Sequence, residues 1–182
     1  VPAGLDKDIM PELVPVLSQD EINAKVAAVA EQITADYRGS ELVLIGILKG
    51  AFVFLADLIR RIRLDSLKVD FLRAASYGNE DRSSGEIRLT QSLEIDIARK
   101  DVLIVEDIVD SGLTLTFLLK YLNSFKPKSV KICAMIDKYE RRKADIRVDY
   151  ACHTVKEGFL IGYGLDYAEN YRNLPGIYHL KF

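Results

Sequence analysis

The chain has 182 residues, 49% hydrophobic and 29% charged, with 25 Lys and Arg against 27 Asp and Glu and a formal net charge of -2. That length suits one domain able to bury about two-thirds of its unfolded surface, and the composition is that of a folded protein, not a disordered one. The slight acidity argues against broad nucleic-acid binding, which needs a basic face, and no apolar run reaches the ~20 residues of a membrane span. A signal peptide is not expected, because the first residues lack its basic and apolar regions. Two cysteines, Cys133 and Cys152, lie in apolar runs without metal-ligand spacing. They read as buried thiols, which fits a reducing cytoplasm.

Taken in chain order, the pattern alternates. Residues 18–36 predict an amphipathic helix: Ser18 to Glu21 has the capping-box spacing, and Ile22, Val26, Val29, Ala30 and Ile33 fall on one face. Leu42–Ile47 is a continuous apolar run, as expected of a strand covered on both sides. After Gly50 comes a helix predicted to bury Phe52, Leu55, Ala56 and Ile59. Lys68–Arg73 predicts a second strand. Ser76–Gly85 is polar, rich in Gly and Ser and without periodicity, so it reads as a long mobile loop of the kind that is usually functional. Glu86–Gln91 reads as a short returning strand.

Val102–Glu106 is the clearest strand; Asp107–Gly112 is a turn; Thr114–Phe125 is a helix with Leu115, Leu118, Leu119 and Leu122 inward, ended by Lys126-Pro127. Val130–Ile136 and Val148–Val155 are further strands. Apolar strands alternating with helices imply an α/β fold, an open parallel sheet with helices on both faces, whose ligands bind beyond the carboxyl ends of the strands.

The segment Val102–Leu115 carries the chemistry. Four apolar residues lead into adjacent Glu106 and Asp107, which repel each other and are tolerable beside a cation, a ribose or solvent. Asp110, Ser111, Gly112 and Thr114 then open a helix. Backbone N–H groups at a helix start, two hydroxyls and a glycine that admits close approach form a phosphate cradle. A ribose 5-phosphate with Mg²⁺ matches both halves. The plain alternative is a solvated acidic loop in which Ser111 or Thr114 only caps the helix. No P-loop and no G-x-G-x-x-G pattern is present.

Residues Val105–Leu115 resemble the phosphoribosyl pyrophosphate signature of the type I phosphoribosyltransferases, and in particular of their hypoxanthine-guanine branch; the likeness runs from about residue 10 to residue 175. The resemblance implies a single domain over 1–182, with a core at about 36–155 and a small hood from about 1–18 and 156–182. It implies purine salvage: transfer of phosphoribosyl from phosphoribosyl pyrophosphate to a 6-oxopurine by a magnesium-dependent glycosyltransferase. In that scheme Asp110 is the general base, Glu106 and Asp107 hold the ribose directly or through Mg²⁺, and Ser111, Gly112, Leu113 and Thr114 take the 5-phosphate. Leu113 stands where animal relatives carry a lysine, without consequence for a loop acting through its backbone.

Further segments carry the same resemblance. Lys49 and Gly50, in Gly46–Gly50, match the pyrophosphate loop, with a cis peptide implied at Leu48–Lys49. Ser76-Tyr77-Gly78 is similar to the start of a catalytic lid that keeps water from a ribosyl cation-like species. Lys138 matches the donor to the purine 6-oxo group; a solvent lysine is the plain alternative, given Arg141, Arg142 and Lys143 nearby. Phe159 is expected to stack on the base, the backbone of Leu160 to read its edge, Asp166 to hold Mg²⁺ and Arg172 to meet pyrophosphate. His153 and His179 are expected to be structural. Expected partners are phosphoribosyl pyrophosphate, a 6-oxopurine and further copies of the chain in a dimer or tetramer, with no nucleic acid and no membrane. The competing readings are a xanthine-using enzyme, a nucleic-acid-binding regulator on the same fold, and an acidic-cluster phosphatase or receiver domain built around Asp107.

Overall fold

A computed structural model describes residues 11–77 and 86–182. The apolar run of β2 (Leu42–Ile47) is buried along its whole length. It lies between two parallel neighbours, β3 (Leu67–Tyr77) and β5 (Asp101–Val109). Outside β5 follow β6 (Ser129–Lys138) and β7 (Tyr150–Val155), both parallel, and outside β3 lies β4 (Glu86–Gln91), which is antiparallel. The order β4-β3-β2-β5-β6-β7 is therefore that of a mixed sheet: the expected parallel core with one antiparallel edge.

The sheet's alternation sorts its side chains into two cores. Leu42, Leu44, Leu103, Val105, Cys133 and Met135 pack with α1 (Gln19–Asp36) and α2 (Phe52–Ile59). Val43, Ile45, Val102, Ile104, Ile132 and Ala134 pack with α3 (Leu113–Asn123). Helices thus cover both faces. α1 forms as its sequence dictates: Ser18 and Glu21 make a reciprocal capping box, and the five expected residues are buried.

α2 differs from expectation. Phe54, Leu55 and Leu58 are buried, whereas Phe52 is 47% exposed. Seven of its eight residues, FVFLADLI, are apolar, so the sequence offers almost no polar face to set the phase. In α3, Leu115, Leu118 and Leu122 are buried as expected and Leu119 is only partly so.

Three strands escape the sequence reading. β1 (Glu12–Leu17) pairs antiparallel with β9 (Ile177–Lys181), which also pairs with β8 (Leu160–Ile161). This three-stranded sheet joins the α1–α2 core through Leu17, Leu160 and Ile177. β3 also runs on through Ser76 and Tyr77, where a loop is expected, because Ser76 and Tyr77 pair with Ile87 and Glu86. Residues 78–85, the rest of the expected lid, lie outside the described residues. No helix among the described residues is long and apolar enough to cross a membrane.

Chain direction fixes where a ligand can sit. From β2 the connection through α2 leads to β3 on one side, while β5 lies on the other side and leads on to β6. The crevice beyond the carboxyl ends at such a reversal is the usual binding place in open α/β sheets. Here it is bordered by residues 48–51 after β2 and residues 110–114 after β5.

Candidate active site

An open cavity of about 350 Å³ occupies that crevice, lined by Lys49, Gly50, Glu106, Asp107, Asp110, Ser111, Gly112, Thr114, Asp166 and Arg172 among others. A second, of about 210 Å³, is lined by Asp107, Asp110, Lys138, Phe159, Leu160 and Asp166. Asp107, Asp110 and Asp166 border both, so the cavities adjoin along the line where the carboxylates stand.

β5 runs to Val109, so Glu106 lies in the strand as expected, and Asp107, Ile108 and Val109 also belong to the strand and not to the expected turn. Successive side chains of a strand face opposite ways, yet both carboxyls border the crevice, at the point where the pairing of β5 with β2 has stopped, at Val105. Burial, then repulsion by Asp107, pushes the Glu106 carboxyl well above the usual range; burial also raises Asp107, whose Oδ1 accepts from Ile108 N–H at 2.8 Å. A nearby positive charge would favour the ionised form of both.

The sign of this effect on stability follows from linkage. The unfolded chain releases these protons at about pH 4.3 and the folded chain resists, so ionisation works against folding at all higher pH. Glu106→Gln is expected to raise the thermal midpoint at pH 8, by about 2–4 °C for each kcal/mol relieved, and the gain shrinks to nothing as the pH falls toward 4. A variant that melts below the parent at pH 8 in a pair of calorimetric scans contradicts this.

Gly112 is the N-cap of α3 in the left-handed conformation (φ 80°), and no side chain caps that helix. The reading in which Ser111 or Thr114 serves as a simple cap is thus set aside; Ser111 Oγ receives only a long contact from Leu113 N–H, at 3.4 Å. The first intrahelical bond runs from Thr116 N–H to Gly112 O. The N–H groups of Thr114 and Leu115 have no partner within the helix and remain available to an anion.

On the opposite bank the Leu48–Lys49 peptide is cis. Gly50 lies so close to Asp107 that a Cβ on it would stand 1.6 Å from Oδ2. Lys49 Nζ meets Glu169 at 2.9 Å, and Arg172 Nη2 meets Asp166 at 2.7 Å and Glu169 at 3.5 Å. Arg172 also donates to Gly164 O at 2.7 Å, while its buried Nε has no partner among the described residues. Lys49, Asp166 and Arg172 are thus brought together, with Glu169, which the sequence does not single out, as the common counter-charge of Lys49 and Arg172.

Lys138, at the end of β6, is 6% exposed, which rules out a solvent lysine. Its Nζ lies 3.6 Å from Asp110 Oδ2. Asp110 Oδ1 is enclosed and has no hydrogen-bond partner among the described residues. Phe159 is 51% exposed where it lines the second cavity, its ring edge-to-face with Tyr167 at 5.6 Å, so it is no core aromatic. Leu160 is buried in β8. His179 packs against Gly158. Cys133 and Cys152 are free and buried, and burial pushes the Cys152 thiol up to about 12 and Cys133 well above its usual value. Of Ser76 and Tyr77 only the strand backbone is described.

Glu106, Asp107 and Asp166 line one cavity, but no group of three His, Cys, Asp or Glu among the described residues forms a cage for a metal. Magnesium is usually held by one or two carboxylates, with water and substrate phosphates completing its shell. This hard-oxygen donor set fits that mode.

Set against known proteins, the fold falls in one class. Residues 17–168 match the phosphoribosyl transferase domain family, and the chain belongs to it. Its fold is the type I phosphoribosyltransferase fold. Within the family, it is 45% identical over 166 residues to the hypoxanthine-guanine phosphoribosyltransferase of Bacillus subtilis (91% of this chain, 92% of that one). It is 47% identical to the enzyme of that name from Dictyostelium discoideum (91% and 94%). A crystal structure of a hypoxanthine phosphoribosyltransferase from Staphylococcus aureus superposes with a TM-score of 0.87 at 42% identity, covering 92% of this chain and 90% of that one.

Proposed function

We propose that the chain transfers the 5-phosphoribosyl group of phosphoribosyl pyrophosphate to N9 of hypoxanthine or guanine, giving IMP or GMP and pyrophosphate in purine salvage. The observation that carries this reading is the position of Asp110, a carboxylate with one unpartnered, enclosed oxygen at the border of two adjoining cavities. One cavity has an anion cradle and paired acids, suited to a sugar phosphate; the other has an apolar ring and a buried lysine, suited to a 6-oxopurine.

The roles follow from chemistry. The 5-phosphate docks on the amides and hydroxyls of Asp110–Thr114. Glu106 and Asp107 hold the ribose hydroxyls and stabilise the positive charge that develops on the ribose. Lys49 and Arg172, released from Glu169, neutralise the departing pyrophosphate, and Ser76 and Tyr77 are assigned to the same group. Asp166, Glu106 and Asp107 are the residues that would hold Mg²⁺, which would supply further charge neutralisation when bound. Asp110 takes the proton from the purine imidazole as N9 attacks C1 with inversion. Phe159 covers the base, Leu160 reads its edge through the backbone, and Lys138 donates to the 6-oxo group.

Purified protein mixed with Mg²⁺, phosphoribosyl pyrophosphate and each of hypoxanthine, guanine, xanthine and adenine tests this. Nucleotide absorbance is expected to rise with hypoxanthine and guanine and not with adenine. Turnover with none of the four contradicts the reading, and turnover with xanthine alone replaces it with the xanthine enzyme. Lys138→Met should raise KM for hypoxanthine roughly 10–100-fold, the scale of one charged hydrogen bond; an unchanged KM removes Lys138 from base recognition. The regulator alternative draws no support from the relatives, which carry enzyme names. The phosphatase or receiver reading leaves the phosphate cradle and the Lys49–Arg172 pair without purpose. The buried free thiols fit a reducing, cytoplasmic setting, and a homodimer or homotetramer is the assembly expected.

A further inference from the structure

Arg142 lies in a basic run, Arg141-Arg142-Lys143, on the connection between β6 and β7, yet its side chain is only 19% exposed. Its guanidinium is spent almost entirely on backbone. Nε donates to Asp110 O at 2.9 Å, Nη1 to Ile146 O at 3.1 Å, and Nη2 to Val109 O at 3.1 Å and Lys138 O at 2.9 Å. Nη2 also pairs with the Asp137 carboxylate. Beside it, the N–H groups of Lys143 and Ala144 donate to Ser111 O at 3.0 and 3.2 Å. The carbonyls of three successive residues, Val109, Asp110 and Ser111, therefore all point at residues 142–144.

That orientation has a consequence for the cradle. In a trans peptide the C=O of one residue and the N–H of the next point in opposite directions across a rigid plane. Anchoring the carbonyls of 109, 110 and 111 turns the N–H groups of 110, 111 and 112 away from Arg142. A run of amides facing one way is an anion nest, and a carbonyl turned among them would repel a phosphoryl oxygen. Gly112 is held in the same clasp: a Cβ on it would stand 3.5 Å from Arg142 Cδ and 3.2 Å from Ala144 Cβ.

From this we infer that Arg142 is the positioning residue of the phosphate cradle: it fixes which face of the 109–112 backbone meets the 5-phosphate and ties that loop to the backbone of Lys138 in the base cavity. The inference rests on the site reading above. Among the described residues Arg142 makes no hydrogen bond or ion pair with the Lys49 bank or the Arg172 cluster, so its loss should weaken ligands that carry a 5-phosphate and spare pyrophosphate.

Titration calorimetry with IMP and, separately, with magnesium pyrophosphate separates the outcomes. Arg142→Lys keeps the charge but not the fork, and should weaken IMP roughly tenfold or more, the scale of a lost charge-assisted hydrogen bond. Pyrophosphate should change less than about twofold, within the spread of an uninvolved site. Equal weakening of both ligands marks a general structural role and overturns the inference, as does unchanged IMP binding. If Arg142→Lys fails to fold, Asp137→Asn, which removes only the carboxylate partner of the guanidinium, takes its place: IMP weakened with pyrophosphate spared supports the inference, and equal weakening or no change overturns it. Parent protein that binds no IMP would sink the site reading itself, whereas parent binding with an indifferent variant sinks this inference alone.

Discussion

Asp110→Asn should cut kcat by roughly 10²–10⁴, the usual scale for loss of a positioned proton acceptor, while the protein remains folded. Asparagine preserves the shape of the carboxylate and its hydrogen-bonding reach but cannot take the purine proton. The 3.6 Å pairing with Lys138 is lost as a charge pair, which adds to the effect on base binding and should appear in KM for hypoxanthine. The fold should tolerate the change, since Asp110 Oδ1 accepts no hydrogen bond that the amide would break. Steady-state kinetics beside a melting curve decides it. Activity near that of the parent removes Asp110 from the chemistry.

Gly50→Ala should be as damaging although it alters no charged group. The added Cβ would stand 1.6 Å from Asp107 Oδ2 and 2.3 Å from Asp107 Cγ, so either the carboxyl or the loop has to give way. Room to retreat is scarce: Gly164 backs onto Gly50 O, at 2.2 Å from where its own Cβ would stand. Shifting either bank of the crevice misplaces the pyrophosphate loop relative to the ribose acids. A displacement of about 1 Å costs on the order of 10²-fold in rate. A variant within about threefold of the parent in kcat/KM would mean that the Gly50–Asp107 approach is not part of the working site, since such a change is under 1 kcal/mol.

What the sequence reveals depends on how local the physics is. The capping box of α1 and the passage from β5 into α3 are written in consecutive residues, so both are legible. β1 and β9 are not: they are short, and Glu12 finds Lys181 only when the chain's two ends meet. The phase of α2 is hidden because nearly all its side chains are apolar. The extension of β3 through Tyr77 depends on β4, which returns to pair with it.

The site divides in the same way. Glu106 through Thr114 stand out as a motif, while the assignments of Lys49, Lys138, Phe159, Asp166 and Arg172 come through family resemblance, because each on its own is an ordinary residue. Glu169 and Arg142 are missed. Arg142 is hidden because its partners at Val109 and Asp110 are carbonyls more than thirty residues away, and a backbone acceptor leaves no trace in sequence. The one signal that could have found it is an arginine placed four residues after Lys138 at the end of an apolar strand.

The most direct measurement is a crystal structure of the protein grown with IMP. The 5-phosphate is expected on the amides of residues 111–114, the ribose hydroxyls against Glu106 and Asp107, and the purine between Phe159 and Lys138 with its imidazole edge toward Asp110. Nucleotide bound at another place on the surface, with the bend between β5 and α3 left free, would contradict it.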